Sequence, residues 1–240
     1  DRMSPRQAWR AIQAGMPEDV IISSDIWNNC AIGNAYPTFE ETRKYLAPGL
    51  FGPCGYGLPS VVGAKIGRPD VPVVGFSGDG AFGIAVNELT AIGREEWPAV
   101  TQIVFRNYQW GAEKRNSTLW YDDNFVGTEL DTQVSYAGIA KACGLQGVIA
   151  KTMDELTEAL HTAIKDQMEN GKTTLIEAMI NQELGEPFRR DAMKKPVAVA
   201  GVSASDMREQ VAWNSNATGS KKTIGSGYGN NQIQPIQNLS

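Results

Sequence analysis

Apolar positions follow two rhythms along the first 180 residues. Ala8, Trp9, Ile12 and Met16 recur at helical spacing behind Ser4-Pro5, a capping hydroxyl followed by a first-turn proline, so a helix with one apolar face starts there. Val20 to Asp25 is a short apolar run with a polar end and predicts a buried strand. Gly49 to Gly57 is glycine-rich and predicts a loop, and Leu58 to Ile66 predicts a helix of small residues. Val71 to Phe76 and Val100 to Phe105 predict two further buried strands, with Gly83 to Glu95 helical between them. Val134 to Cys143 is helical, Gly147 to Ala150 extended, Thr152 to Glu169 a long helix, and Thr173 to Ile180 a last strand. Strands that alternate with helices build an α/β fold: a mostly parallel sheet with helices on both faces. Ligands on such sheets bind at the carboxyl ends of the strands.

From about Ala198 the periodicity fades and Gly, Ser, Asn and Gln accumulate. Residues 1–197 are therefore expected to form the domain and 198–240 a disordered tail. The 240 residues are enough for a sizeable core. The net charge of -5 is spread along the chain, which argues against a nucleic-acid partner. No apolar run approaches the roughly 20 residues of a spanning helix, and no signal peptide is evident behind Asp1-Arg2-Met3-Ser4-Pro5. Cys30, Cys54 and Cys143 match no metal-ligand spacing, and they read as reduced thiols of a cytoplasmic protein. His161, the single histidine, sits in a charged helical pattern and reads as a solvated residue.

Chemistry concentrates around two strand ends. Ser77-Gly78-Asp79-Gly80-Ala81-Phe82 directly follows the strand at Val71 to Phe76, which puts the carboxylate of Asp79 at its carboxyl end. The glycines allow close approach of a ligand, and Gly80 and Ala81 precede a helix whose first N–H groups suit phosphate. Asn107 follows the next strand at the same edge. A carboxylate and an amide oxygen from adjacent strand ends suit magnesium, which prefers hard oxygen ligands. Two ordinary turns would look the same one at a time, since Asp-Gly is common in turns.

Gly78-Asp79-Gly80, followed nearly thirty residues later by Asn107, resembles the thiamine-diphosphate motif of the acetolactate synthase and pyruvate decarboxylase superfamily. Gly52-Pro53-Cys54-Gly55-Tyr56-Gly57-Leu58-Pro59-Ser60 resembles the segment that lies beside the aminopyrimidine ring there. Asp25-Ile26-Trp27-Asn28-Asn29 sits where that superfamily places diphosphate contacts. The resemblance implies that Asp79 and Asn107 ligate magnesium through side chains and Gln109 through its backbone oxygen. It implies that Gly78, Gly80, Ala81, Asn28 and Asn29 serve the diphosphate, and that Gly52 and Cys54 face the aminopyrimidine. Three positions depart from the pattern. Arg106 stands where many relatives have asparagine, Cys54 replaces methionine, and Trp27 replaces glycine.

Two longer stretches narrow the likeness. Trp110-Gly111-Ala112-Glu113-Lys114-Arg115-Asn116 and the run from Glu183 to Pro196 resemble the sulfoacetaldehyde acetyltransferase family. Such an enzyme releases sulfite from sulfoacetaldehyde and passes the acetyl group to phosphate. Both substrates are anions, so Lys114, Arg115, Arg189 and Arg190 are candidates for holding them, against the plainer reading of surface charges. In the superfamily a glutamate that activates the aminopyrimidine comes from a separate pyrimidine-binding domain, usually a neighbouring subunit's. No segment here resembles that domain, and Glu88 reads as structural. The chain is thus expected to be the C-terminal part of a homo-oligomeric enzyme and inactive alone. An acetolactate synthase or 2-oxoacid decarboxylase, or a non-catalytic assembly domain, remain alternatives. A nicotinamide-binding sheet does not, because the Gly-x-Gly-x-x-Gly spacing is missing.

Overall fold

The computed structural model describes residues 2–26, 33, 37–39 and 42–183, apart from the side chains of residues 119 and 120. Helix α1 (Pro5–Gly15) opens on a complete capping box. The Ser4 hydroxyl accepts from the Gln7 N–H at 3.2 Å, and the Gln7 side chain accepts from the Ser4 N–H at 2.8 Å. Strand β1 (Ile21–Ser24) follows, then a two-residue strand β2 (Tyr45–Leu46) and helix α2 (Gly57–Gly67). Strand β3 (Val73–Gly78) runs into helix α3 (Asp79–Ala85), with helix α4 (Glu88–Ile92) behind it. Strand β4 (Thr101–Arg106), helix α5 (Gly111–Trp120), helix α6 (Tyr136–Ala142), strand β5 (Gln146–Ala150), helix α7 (Met153–Glu169) and strand β6 (Thr174–Met179) complete the order.

The six strands form one sheet in the order β2-β1-β3-β4-β6-β5, and every pairing is parallel. Alternation within the strands separates two cores. Val74, Phe76, Ile103, Phe105, Ile176 and Ala178 point to the face covered by Trp9 and Ile12 of α1 and Leu156 and Leu160 of α7. Val73, Val104 and Leu175 point to the other face, under Leu58 and Val61 of α2, Phe82 of α3, Leu89 of α4 and Ala140 of α6. Trp9 anchors the first core, with ring centroids 4.9 Å from Phe76 and 5.5 Å from Phe105. Each such side chain contributes about 1.5–3 kcal/mol of apolar burial.

The parallel sheet with helices on both faces agrees with the alternation in the sequence. Two local expectations are corrected, and two elements appear where none was expected. Strand β3 extends to Gly78, so helix α3 starts at Asp79 and takes Gly80 and Ala81 into its first turn instead of following them. The helical stretch from Gly83 to Glu95 is interrupted between α3 and α4. Residues 111–116, to which the periodicity assigned no element, form the start of α5. Strand β2 carries no sequence signal, since two residues cannot display a period.

The chain divides into two compact units. The first holds 1–112 and 127–185 and contains the whole sheet; the described part of the second is 113–126. In the second unit, the Lys114 ammonium lies 5.3 Å from the Phe125 ring centre. The expected tail at 198–240 lies outside the described residues. Among the described residues, no helix is long and apolar enough to cross a membrane.

Candidate cofactor and metal site

The strand order reverses between β1 and β3: β2 lies on one side of β1, and β3 on the other. A crevice for ligands opens outside the carboxyl ends of strands at such a point. Asp25 leaves β1 there and Asp79 leaves β3, and both are essentially buried, at 0% and 1% exposure. Parallel pairing sets Gly78 opposite Phe105, so the residues that follow, Asp79 on one strand and Arg106 and Asn107 on the other, come together.

The two oxygens of Asp79 have different surroundings. Oδ2 accepts three hydrogen bonds, from Tyr108 N–H at 2.6 Å, Asn107 N–H at 3.1 Å and Arg106 Nη1 at 3.1 Å. Oδ1 accepts only from the Gly80 N–H, at 3.1 Å. Near Oδ1 other oxygens gather: Asn107 Oδ1 lies 3.2 Å from it and 3.3 Å from the Gln109 carbonyl oxygen. Acceptors this close repel one another unless a cation sits among them or the Asn107 amide turns over. Neighbouring ligands of an octahedral magnesium, with bonds of about 2.1 Å, stand about 3.0 Å apart. A carboxylate, an amide and a peptide oxygen at these separations fit a magnesium ion. Among the described residues, no cluster of three or more His, Cys, Asp or Glu offers a competing metal site.

The backbone holds this arrangement under strain. Tyr108 has φ of 62°, the left-handed region that β-substituted residues avoid at a cost of about 1–3 kcal/mol. That turn brings the N–H groups of both Asn107 and Tyr108 onto Asp79. The Gln109 carbonyl is steadied because residues 108–110 pair with 128–130: Trp110 N–H donates to Thr128 O at 2.7 Å, and Leu130 N–H to Tyr108 O at 2.9 Å. Gly80 must be glycine, since a Cβ there would stand 2.7 Å from the Trp110 ring. Burial pushes the Asp79 carboxyl up from its ordinary value; the Tyr108 N–H and the Arg106 guanidinium oppose this.

A second network fixes the loop at residues 52–57. Asp25 Oδ2 accepts from Gly57 N–H at 2.9 Å and Ser77 Oγ at 3.3 Å; Oδ1 accepts from Ile26 N–H at 2.9 Å and Gly55 N–H at 3.1 Å. Gln102 Nε2 in turn donates to Ser77 Oγ at 3.2 Å. Gly52 has φ of 59° and its absent Cβ would lie 2.9 Å from Ile26, so only glycine suits it. Cys54, half-buried and in no disulfide, lies in the same loop.

The structure thus brings Asp79, Asn107 and Gln109 together, with Gly78, Gly80 and Ala81 at the same strand end and Gly52 and Cys54 on a loop tied to Asp25. Asn28, Asn29, Arg189 and Arg190 lie outside the described residues. Lys114 and Arg115 lie on α5; Arg115 is 7% exposed, which disfavours the plainer alternative of a surface charge for it. Among the other residues singled out, Glu88 and His161 are exposed, and Cys143 is free and half-buried.

Sequence reasoning gave Asp25 and Arg106 no part in holding the site together and passed over Glu177. Each is a charged residue at an inward position at or near the end of a buried strand. A charge there must find partners, and that signal was available.

Residues 25–178 match the family described as thiamine pyrophosphate enzyme, C-terminal TPP binding domain. The chain belongs to that family. As a thiamine pyrophosphate domain it takes thiamine diphosphate as cofactor. It is 85% identical over 210 residues to the sulfoacetaldehyde acetyltransferase of Roseovarius nubinhibens, an alignment covering 88% of this chain and 35% of that protein. To the sulfoacetaldehyde acetyltransferase of Rhodobacter capsulatus it is 77% identical over 208 residues, covering 87% and 35%. The domain therefore spans about a third of the length of these curated relatives. Among solved structures, the thiamine diphosphate-dependent 4-hydroxybenzoylformate decarboxylase of Rhodococcus jostii superposes with a TM-score of 0.68 at 24% identity, covering 77% of this chain and 34% of that one. That likeness carries the fold.

Proposed function

We propose that this domain is the cofactor-binding part of an enzyme that converts sulfoacetaldehyde and phosphate into acetyl phosphate and sulfite. One observation carries the site: Asp79 Oδ1, the Asn107 side-chain amide and the Gln109 carbonyl converge at the strand ends of a thiamine pyrophosphate domain. The identity of 85% to a sulfoacetaldehyde acetyltransferase supports the choice of substrate. In this reading the three oxygens hold Mg2+, and the metal ties the diphosphate to the sheet. Gly78, Gly80 and Ala81 let the diphosphate approach the backbone. Gly52 and Cys54, on the loop that Asp25 holds, face the aminopyrimidine, and Asn28 and Asn29 add diphosphate contacts.

Thiamine diphosphate supplies the chemistry that activates the aldehyde carbon. The domain's own residues bind and orient it. Lys114, Arg115, Arg189 and Arg190 are the cations proposed for the sulfonate and phosphate. The activating glutamate belongs to a pyrimidine-binding domain of the same homo-oligomeric, cytoplasmic enzyme. Leu50 and Phe51, fully exposed beside Gly52, form an apolar pair that suits contact with that domain better than contact with water.

The test uses a full-length protein containing this chain. Sulfite and acetyl phosphate should form together, and only with thiamine diphosphate, Mg2+ and inorganic phosphate present. Turnover of pyruvate without any need for phosphate would instead favour an acetolactate synthase-like or decarboxylase-like enzyme.

A further inference from the structure

Arg106 is 1% exposed, and nothing in the metal reading assigns it a role. It is the last residue of β4, and its side chain falls on the same face of the sheet as Glu177 of β6. Every arm of its guanidinium meets a neighbour. Nη1 donates to Asp79 Oδ2 at 3.1 Å; Nη2 donates to the Asp131 and Val134 carbonyls at 2.6 and 2.9 Å; Nε lies 3.4 Å from Glu177 Oε1. The Tyr108 and Tyr136 rings flank its carbon, at 4.1 and 5.1 Å from their centres. Glu177 is itself held, through Oε2, by Ser135 Oγ at 2.8 Å and Ala137 N–H at 3.1 Å. The arginine is therefore locked by parts of the fold that do not belong to the metal site.

The consequence falls on Asp79. A carboxylate oxygen has about two lone-pair directions, and Oδ2 already faces three donors. Two N–H groups fill its lone pairs, and the guanidinium, itself a cation, repels a metal from that side; without Arg106 the backbone donors bring no such charge. Oδ1 has one donor and faces the Asn107 side-chain amide, which in turn lies beside the Gln109 carbonyl. Ligation through one oxygen suits the small octahedral shell of Mg2+. The larger Ca2+ takes 6–8 oxygens and accepts carboxylates through both. Asparagine at position 106 could not reach all four of these partners.

We propose that Arg106 is a positioning residue that restricts Asp79 to ligation through Oδ1 alone, and so biases the site toward Mg2+ over Ca2+. This rests on the proposed metal role of Asp79, Asn107 and Gln109. The test compares full-length wild type with Arg106→Asn/Glu177→Gln, a pair that avoids leaving Glu177 as an unpaired buried charge. Thiamine diphosphate binding is followed by quenching of tryptophan fluorescence while Mg2+ or Ca2+ is titrated, with thermal unfolding as a check on folding. In the double variant the apparent Mg2+ affinity should fall about 10- to 100-fold, and the Ca2+ affinity less, so that the Mg2+-to-Ca2+ ratio narrows. Arg106→Lys returns one donor to Oδ2 and should recover part of the ratio; if the double variant does not fold, a ratio narrowed in Arg106→Lys supports the proposal. A ratio unchanged within about 2-fold in the folded variant overturns it, even if both affinities drop. Wild type that binds the cofactor without any metal dependence overturns the metal reading itself.

Discussion

At the scale of single residues, the site divides labour between two buried aspartates. In the proposed function Asp79 presents one oxygen to the metal, and Asp25 holds the glycine loop with both of its own. Their variants should fail differently. Asp79→Ala removes a ligand, so metal-dependent cofactor binding in the full-length protein should be lost in a fluorescence titration. Asp25→Asn turns an amide N–H toward backbone donors, which costs about 1–3 kcal/mol for each group left unpaired. Thiamine diphosphate affinity should then fall roughly 10-fold while the Mg2+ dependence persists, because the metal ligands are untouched. Acid provides a third check. Burial raises the Asp79 carboxyl, so the metal must compete with protons at a higher pH than at an exposed aspartate. Mg2+-dependent binding should therefore weaken on acidification before ordinary carboxylates protonate. For the metal-free fold the sign is opposite. A raised folded-state value means that ionised Asp79 disfavours folding above it, and that penalty lifts as the pH falls through it.

At the scale of elements, long-range side-chain bonds set how helices seat on the sheet. Gln167 of α7 reaches across to β3: its Oε1 accepts from Val73 N–H at 2.8 Å, and its Nε2 donates to Val73 O at 2.8 Å and Thr101 Oγ1 at 3.0 Å. Gln167→Leu keeps the volume but leaves Val73 unpaired, and should lower unfolding free energy by about 2 kcal/mol or more in urea melts. Ser4→Ala deletes half of the capping box of α1 and should cost about 1 kcal/mol in the same assay. Neither substitution touches the site, so cofactor affinity should stay at the wild-type value in both.

At the scale of the whole molecule, the domain covers 35% of its first relatives, and the proposed function places the activating glutamate outside it. The isolated chain should bind thiamine diphosphate weakly and form no acetyl phosphate, measured beside the full-length protein. What the sequence determined alone is what depends on local order. The alternation of Val74, Phe76, Ile103 and Phe105 against Val73 and Val104 laid down a two-faced sheet, since side chains on a strand point to alternate sides whatever lies beyond. Ser4 and Pro5 marked a helix start because a cap acts within four residues. Asp79 and Asn107 were legible because consecutive parallel strands end at one edge. Strand order was not legible: which strands become neighbours depends on packing across the whole sheet, and so did the opening between β1 and β3. Nor could spacing show that Arg106 would join Asp79 to Glu177, or that Tyr108 would turn left-handed. Those contacts join residues 27 to 71 positions apart in the chain, and their energies exist only once the sheet has closed around them.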